Sequence, residues 1–283
     1  MAADSSLSEK ELLEIERANE SGRTPVVFVH GLWLLSSSWD RWRTVFEDAG
    51  FATLAPIWPD DPDTVEVARR DPAVFANKMV SQVTDHFLDA LGHLDTKPVV
   101  IGHSFGGLIA QGIAGTGEAA VTVAIAPAPF RGVLPLPLSS LKAALPVLGN
   151  PANAGRAVSL TYEQYKYGWV NVLEDEEGRA LFEEFHVAAA GIPIFEAATA
   201  NINPFSQVTV DTHNPDRGPL LLISGQKDHT IPWAIAQAAF KLQQANPNLT
   251  EIVEMPNRGH SLTIDHGWRE VADLALDFVL THG

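Results

Sequence analysis

The stretch Gly102-His103-Ser104-Phe105-Gly106 contains the residues of this sequence that point most clearly to chemistry. A β-branched run at 98–101 precedes it and a helix-compatible run at 105–115 follows it, so Ser104 falls on a strand-to-helix turn. A serine at such a turn has a strained backbone that only small neighbours such as Gly102 and Gly106 tolerate. The following helix points unpaired backbone N–H groups at whatever the serine attacks, and its dipole favours negative charge there. The pattern predicts a nucleophile elbow. Because a five-residue motif also occurs by chance, the assignment depends on whether the sequence supplies a base and an acid for Ser104.

The nucleophile needs a general base, because a serine hydroxyl reacts poorly at neutral pH until its proton is removed. Ten histidines are available. We predict that His260 is the base, because it lies in a loop just beyond the last predicted strand. His229 is the second choice, whereas His30 and His103 are expected to be hydrogen-bonded structural residues.

The base in turn needs a carboxylate that fixes its tautomer and its orientation. We predict this role for Asp228, which follows the strand before the last one and could reach over the strand ends to His260. The alternative is that Asp228 only caps the helix beginning at Pro232. Asp265 and Asp216 are weaker candidates for the acid.

Strands alternate with helices along most of the chain, which is typical of a parallel sheet covered by helices on both faces. The predicted strands are 26–29, 51–55, 98–101, 121–125, 220–223 and 250–255. The predicted helices are 74–91, 105–115, 232–245 and 267–280, one from the serines at 36–38 to about 49, and one starting near Ser6 or Ser8. In such a sheet, functional groups lie in loops at the carboxyl ends of the strands, which is where the three candidates fall.

The composition, with 46% hydrophobic and 19% charged residues, is that of an ordinary globular protein. A net charge of −16 and the lack of a basic cluster exclude nucleic acid as a partner. The absence of cysteine excludes disulfides and thiolate metal sites and fits a reducing compartment. Residues 1–20 do not resemble a signal peptide and no apolar run is long enough for a membrane span, so we expect a cytoplasmic protein. The sequence also contains no phosphate-binding loop and no zinc-protease motif, and it is compatible with a homodimer.

The order nucleophile, acid, histidine, each after a successive strand, resembles that of the α/β-hydrolase superfamily, and in particular of its esterase and lipase-like serine hydrolases. The resemblance covers about residues 25–280. It rests on four motifs, namely His30-Gly31-Leu32-Trp33, the Ser104 elbow, the Asp228 loop and the His260 loop. With one glycine after the first histidine, the chain is similar to the single-glycine class rather than to the HGGG lipases.

The resemblance implies an oxyanion hole made by the backbone N–H groups of Leu32 and Phe105. It also implies an α/β-hydrolase fold. Because the sequence before Pro25 looks helical, we expect the chain to lack the two edge strands with which the family commonly begins, and we predict six parallel strands. An aspartate at the elbow would indicate a dehalogenase or an epoxide hydrolase, and Ser104 argues against both.

The superfamily commonly carries a cap where the strand–helix alternation of this chain breaks, between Pro127 and Pro219. We therefore expect residues 1–130 and 218–283 to form the core. Residues 131–217 are expected to form a helical cap, or lid, inserted after the strand that follows the elbow helix.

Trp33, Phe130, Tyr165 and Trp169 are predicted to bind the substrate, because ligand sites are mostly apolar. The predicted activity is hydrolysis of a carboxylic ester of a hydrophobic or aromatic small molecule through an acyl-enzyme, without metal or organic cofactor. The same residues could cleave C–C bonds, lactones or amides, or perform perhydrolysis, and the fold does not decide among these reactions. A ligand receptor in which the three residues are slow or vestigial is the alternative outside enzymes.

Overall fold

The computed structural model describes residues 7–283, which form one main sheet, a two-stranded ribbon and eleven α-helices. The strands are β1 (Pro25–Val29), β2 (Ala52–Leu54), β3 (Val99–His103), β4 (Val121–Ile125), β5 (Ala157–Val158), β6 (Ala189–Ala190), β7 (Leu220–Gly225) and β8 (Thr250–Met255). The helices are α1 (Glu9–Ser21), α2 (Asp40–Asp48), α3 (Val65–Arg70), α4 (Val80–Gly92), α5 (Phe105–Thr116), α6 (Leu138–Leu148), α7 (Tyr162–Gly168), α8 (Asp175–Phe185), α9 (Ile192–Thr199), α10 (Trp233–Gln243) and α11 (Trp268–His282). None of these helices combines the length and apolar character needed to cross a bilayer.

The main sheet has six strands in the order β2-β1-β3-β4-β7-β8, and every neighbouring pair is parallel. This confirms the predicted six-stranded parallel sheet. The strands β1, β3, β4 and β7 are buried at every residue, as expected where helices cover both faces. Because all strands run the same way, the loops that follow β1, β3, β7 and β8 leave from one edge of the sheet. These loops contain Leu32, Ser104, Asp228 and His260.

The chain enters the sheet from a helix, since the described residues before β1 form α1 and no strand. The helix starts at a capping box in which the Ser8 side chain accepts from the Glu11 N–H and the Glu11 carboxylate accepts from the Ser8 N–H at 2.8 Å. Of the two predicted starts, Ser8 is the cap, and Ser6 lies outside the described residues.

The helix predicted over residues 74–91 is shorter than expected, because α4 begins only at Val80. Phe75 ends a separate 3₁₀ turn, and Asn77 has a positive φ of 61°. An α-helix cannot continue through a residue in that left-handed conformation. The helical spacing of apolar residues continues from Phe75 across this break. Spacing alone therefore predicted one long helix where the backbone forms a 3₁₀ turn and a shorter helix.

Between β4 and β7 the chain leaves the main sheet for residues 126–219, which contain α6 to α9 and the antiparallel ribbon of β5 and β6. One side of this segment packs on the rest of the molecule through buried side chains such as Trp169 and Leu181. The segment also exposes large apolar side chains around α6, of which Leu138 is the most exposed at 84%.

Candidate active site

The turn between β3 and α5 holds Ser104 in an unusual backbone conformation, with φ 56° and ψ −119°. The turn is fixed by three hydrogen bonds. The Ser104 N–H donates to the Ile125 carbonyl at 2.9 Å, and the Ser104 carbonyl accepts from the N–H groups of Leu108 at 3.1 Å and Ala128 at 2.9 Å. The backbone therefore holds the serine at the end of β3 in a φ region that non-glycine residues rarely adopt.

The two elbow glycines are required by close backbone approach. A Cβ on Gly102 would overlap the backbone of Gly106, and a Cβ on Gly106 would overlap the Val29 carbonyl at the end of β1. Neither neighbour can move without displacing α5 or the sheet. The glycines thus allow the elbow strand, the elbow helix and β1 to meet directly below Ser104.

We expect Gly106→Ala to destabilise the fold by about 3 kcal/mol or more, because its methyl group would overlap backbone atoms. The matched control is Gly112→Ala in the same helix, where the only atom near a new Cβ is the Thr84 Cγ2 at 3.9 Å. That substitution should stabilise the helix by about 0.5 to 1 kcal/mol. Urea unfolding of both variants measures the difference. Equal stabilities would show that the close approach at Gly106 is not a constraint.

The structure brings Ser104, His260 and Asp228 together, although they are far apart in the chain. The His260 Nε2 lies 3.0 Å from the Ser104 Oγ, and its Nδ1 lies 2.7 Å from the Asp228 Oδ2. Because an ionised carboxylate can only accept, the proton of a neutral His260 is on Nδ1. The Nε2 is then free to accept from the serine hydroxyl. The His260 and Asp228 side chains are both inaccessible to solvent.

The second carboxylate oxygen of Asp228 holds the loop after β7. The Oδ1 accepts from the backbone N–H groups of Thr230 at 2.7 Å and Ile231 at 2.8 Å. The helix α10 itself has Pro232 at its N-cap and no side-chain cap. Asp228 therefore organises the loop with one oxygen and contacts His260 with the other, and it does not cap α10.

The alternative acid and base residues make their contacts with other groups. The Nδ1 of His229 lies 3.0 Å from the Tyr167 carbonyl. Asp265 pairs with Arg258 and accepts from the Ser261 hydroxyl at 3.0 Å. Asp216 lies in an exposed turn. Among the contacts between described residues, none joins these three side chains to Ser104 or His260.

Two further rings lie against the His260 imidazole, in an arrangement that was not predicted from the sequence. The Trp169 ring lies edge-on with its centroid 4.8 Å from that of His260, and the His103 ring lies at 4.9 Å. The His103 Nε2–H donates to the His260 carbonyl at 2.9 Å. Burial, and secondarily the neighbouring His260, lowers the pKa of His103 well below its ordinary value. A neutral His103 leaves His260 free of a neighbouring imidazolium charge.

The loop after β1 packs against the elbow. A Cβ on Gly31 would lie 2.9 Å from the Ser104 Cβ and 2.8 Å from the His103 carbonyl oxygen, so only glycine fits there. Within residues 7–283, the backbone N–H groups of Leu32 and Phe105 donate to no acceptor. Two unpaired donors are thus available beside Ser104, one next to Gly31 and one at the first residue of α5.

Buried polar side chains hold the loop after β1 in place. The Nδ1–H of His30 donates to the Gly31 carbonyl at 3.0 Å, and the Trp58 Nε1–H donates to the His30 carbonyl at 3.1 Å. The His30 Nε2 faces the Asp61 Oδ2 at 3.5 Å, and Asp61 is paired with the buried Lys78. Burial raises the pKa of Asp61 to about 6, and burial lowers the pKa of His30 to about 4. His30 is therefore neutral at physiological pH.

A cavity of about 280 Å³ opens beside Ser104. Its walls contain no charged side chain. The lining residues are Trp33, Ser104, Phe105, Ala128, Pro129, Pro135, Leu136, Ser140, Leu141, Ala143, Ala144, Leu148, Leu160, Gln164, Gly168, Trp169, Ile194, Ala197, Ala198, Thr230, Ile231 and Ile235. The arrangement can receive an uncharged, apolar molecule and hold one end of it at the serine hydroxyl.

Of the four residues predicted to bind substrate, Trp33 and Trp169 line the cavity and Phe130 and Tyr165 do not. Phe130 and Tyr165 lie outside the cavity lining, so a contact of either with substrate stays a prediction. Tyr165 stacks behind Trp169 with ring centroids 5.6 Å apart, so it contacts the wall rather than the cavity.

Several cavity residues were missed by the sequence analysis. Ile231 and Thr230 follow Asp228 directly, so their position in the Asp228 loop was a usable signal. The small residues of α6 and α9, such as Ala143 and Ala197, gave no such signal, because alanine is common on any helix face.

No group of three or more metal-binding side chains occurs between residues 7 and 283.

Comparisons with known proteins agree with this architecture. The model of a family described as the alpha/beta hydrolase family matches residues 26–274. Among solved structures, a monoacylglycerol lipase of Paleococcus ferrophilus is 20% identical with a TM-score of 0.64, and the match covers 92% of this chain and 95% of the lipase. A pyrethroid hydrolase of Sphingobium faniae is 19% identical with a TM-score of 0.62, covering 90% and 96% of the two chains.

A thermophilic esterase of Thermogutta terrifontis is 17% identical with a TM-score of 0.64, covering 92% of this chain and 91% of the esterase. No curated protein sequence matches this chain. At these identities the structural likeness concerns the fold.

Proposed function

The chain belongs to the α/β-hydrolase family, and we propose that it is a serine hydrolase that cleaves carboxylic esters of hydrophobic or aromatic small molecules. The observation that carries the proposal is the unbroken hydrogen-bond chain from Ser104 through His260 to Asp228 at the end of an uncharged cavity. Similar solved structures include a lipase and an esterase, which supports a hydrolase acting on esters.

In the proposed reaction, the Ser104 Oγ attacks the ester carbonyl carbon while His260 Nε2 takes the hydroxyl proton. Asp228 holds the imidazole and stabilises its positive charge. The carbonyl oxygen becomes an oxyanion that accepts from the N–H groups of Leu32 and Phe105. The imidazolium then gives its proton to the departing alcohol oxygen, the carbon–oxygen bond breaks, and an acyl-enzyme remains.

Hydrolysis of the acyl-enzyme repeats these steps with water as the nucleophile. His260 removes a proton from water, the hydroxide oxygen attacks the acyl carbon, and the proton returns to the Ser104 Oγ as the acid leaves. Apart from the water molecule, both halves use only groups of this chain. Loss of one oxyanion donor in such a site typically costs about 3 kcal/mol of transition-state stabilisation. Gly31 lets its loop pack against the elbow, and it is therefore needed to place the Leu32 N–H in the proposed oxyanion hole.

We also propose that residues 131–217 act as a cap over a core formed by 1–130 and 218–283. Support comes from the cavity walls, because α6, α7 and α9 supply Leu141, Gly168, Ile194 and other lining residues, while the core supplies Ser104. A cap that excludes water strengthens the electrostatic contacts to the oxyanion. The cytoplasmic location and the homodimer stay predictions from the sequence.

A pair of esters of equal length tests the substrate class. We expect p-nitrophenyl butyrate to be hydrolysed with a kcat/KM at least about 100-fold above that of mono-p-nitrophenyl succinate, because a carboxylate buried in an uncharged cavity loses its hydration without gaining a partner. Comparable rates for the two esters would contradict the proposed class of substrate.

Further compounds separate the alternative functions. Faster turnover of a matched lactone, amide or β-diketone would favour a lactonase, an amidase or a C–C hydrolase, and formation of a peracid from an ester and hydrogen peroxide would favour a perhydrolase. Stoichiometric reaction with a serine-directed phosphonate, combined with no multiple turnover of any ester, would favour a ligand receptor.

A further inference from the structure

Large apolar side chains are exposed on two segments next to cavity-lining residues, namely residues 134–145 and the loop after α9. We call this set the apolar rim. The rim accounts for seven of the thirteen large hydrophobic side chains that are exposed in residues 7–283, so these side chains are concentrated rather than scattered. Its members are 38–84% exposed and are Leu134, Leu136, Leu138, Leu141, Leu145, Ile202 and Phe205.

The two segments that carry the apolar rim are tied together. The Asn201 side chain accepts from the Gly132 N–H at 2.7 Å and donates to the Val133 carbonyl at 2.8 Å. The Arg131 guanidinium donates to the Pro204 carbonyl at 3.1 Å. These hydrogen bonds fix the loop after α9 beside the segment that leads into α6. The two parts of the apolar rim are therefore adjacent.

The apolar rim is continuous with the cavity that holds Ser104. Leu136 and Leu141 are exposed to solvent and also line the cavity. A ligand can therefore pass from the surface to the serine hydroxyl along apolar side chains. A protein partner or a second copy of this chain seated on the rim would cover that entrance.

The charge pattern restricts what can bind there. Between residues 132 and 155 the only charged side chain is Lys142, and its Nζ lies 4.0 Å from the centroid of the Tyr167 ring. The loop 200–208 has no charged residue, and the whole chain carries a net charge of −16. The rim itself offers almost no charge, which matches a surface without net charge, and the net charge of the whole chain opposes approach to an anionic surface.

We propose that the apolar rim binds the surface of an electrically neutral phospholipid bilayer, from which uncharged esters enter the cavity. Large contiguous apolar patches mark interaction sites, and burial of such side chains at the boundary of the acyl chains drives binding. The entry of an ester substrate rests on the proposed function. Attachment to the bilayer does not, because it requires the rim and not the serine.

Flotation with pure phosphatidylcholine vesicles tests the attachment. The wild type and Ser104→Ala should both float with the vesicles, and both should bind pure phosphatidylglycerol vesicles more weakly. Leu138→Ser/Leu145→Ser/Phe205→Ser removes rim side chains that do not line the cavity. This variant should bind phosphatidylcholine at least about tenfold more weakly and should hydrolyse a water-soluble short ester at the wild-type rate.

A matched triple variant, Leu12→Ser/Leu13→Ser/Leu280→Ser, changes exposed leucines outside the rim and should bind like the wild type. The proposal is overturned if the wild type does not float with phosphatidylcholine, or if the two triple variants bind equally. A dimer in sedimentation velocity that only the rim variant loses would assign the rim to a second copy instead. If flotation is as expected but no ester is hydrolysed, the proposed function fails and the bilayer attachment stands.

Discussion

Replacement of Ser104 by alanine is expected to lower kcat for p-nitrophenyl butyrate by about 10⁶-fold, because no acyl-enzyme can form without the hydroxyl. The fold should be retained. Alanine keeps the Cβ that already fits at φ 56°, and the hydrogen bonds that fix the turn are made by backbone atoms. Circular dichroism and urea unfolding check the fold, and steady-state kinetics give the loss of activity.

Ser37→Ala is the matched control for this substitution. Ser37 lies in the 3₁₀ turn before α2 and does not line the cavity. It should therefore keep wild-type kinetics. Substantial turnover by Ser104→Ala, at a level above contamination by wild-type protein, would refute the assigned nucleophile.

Replacement of Asp228 by asparagine is expected to lower kcat by about 10⁴-fold. The asparagine Oδ1 can still accept from Thr230 and Ile231, so the loop should be kept. Its Nδ2, however, would donate where the carboxylate accepts. The His260 Nδ1 must then accept, its proton moves to Nε2, and that nitrogen can no longer remove the Ser104 proton.

Two other aspartates serve as controls for Asp228→Asn. Asp216→Asn changes an exposed residue and should have no effect on kcat. Asp265→Asn changes the partner of Arg258 and should affect stability more than kcat, since Asp265 accepts from Ser261 rather than from His260. A large fall in kcat for Asp265→Asn, with little change for Asp228→Asn, would transfer the role of the acid to Asp265.

The part of the site that was predictable from the sequence is the part set by strand order. Ser104, Asp228 and His260 each follow a strand of a parallel sheet, and parallel strands present their carboxyl ends at one edge. Local signals were enough to find β3 and β7, because buried parallel strands are short and largely apolar. The elbow was equally visible as a local pattern, since both of its glycines lie within two residues of Ser104, although Gly106 makes room for the Val29 carbonyl of β1.

The cavity walls were not predictable in the same way. Whether a helical side chain faces the cavity or the core depends on how the helix is packed, which residue type does not reveal. Tyr165 and Trp169 are one helical turn apart, yet only Trp169 reaches the cavity. The break before α4 depends on the positive φ of Asn77, which apolar periodicity cannot detect.

The most direct measurement is mass spectrometry of the protein after treatment with a serine-directed fluorophosphonate. A serine whose proton is taken by His260, which Asp228 orients, should react in preference to all other serines, so we expect one adduct per chain on the peptide that contains Ser104, and none in Ser104→Ala. An unmodified Ser104, or an adduct on another residue that persists in Ser104→Ala, would contradict the proposed active site.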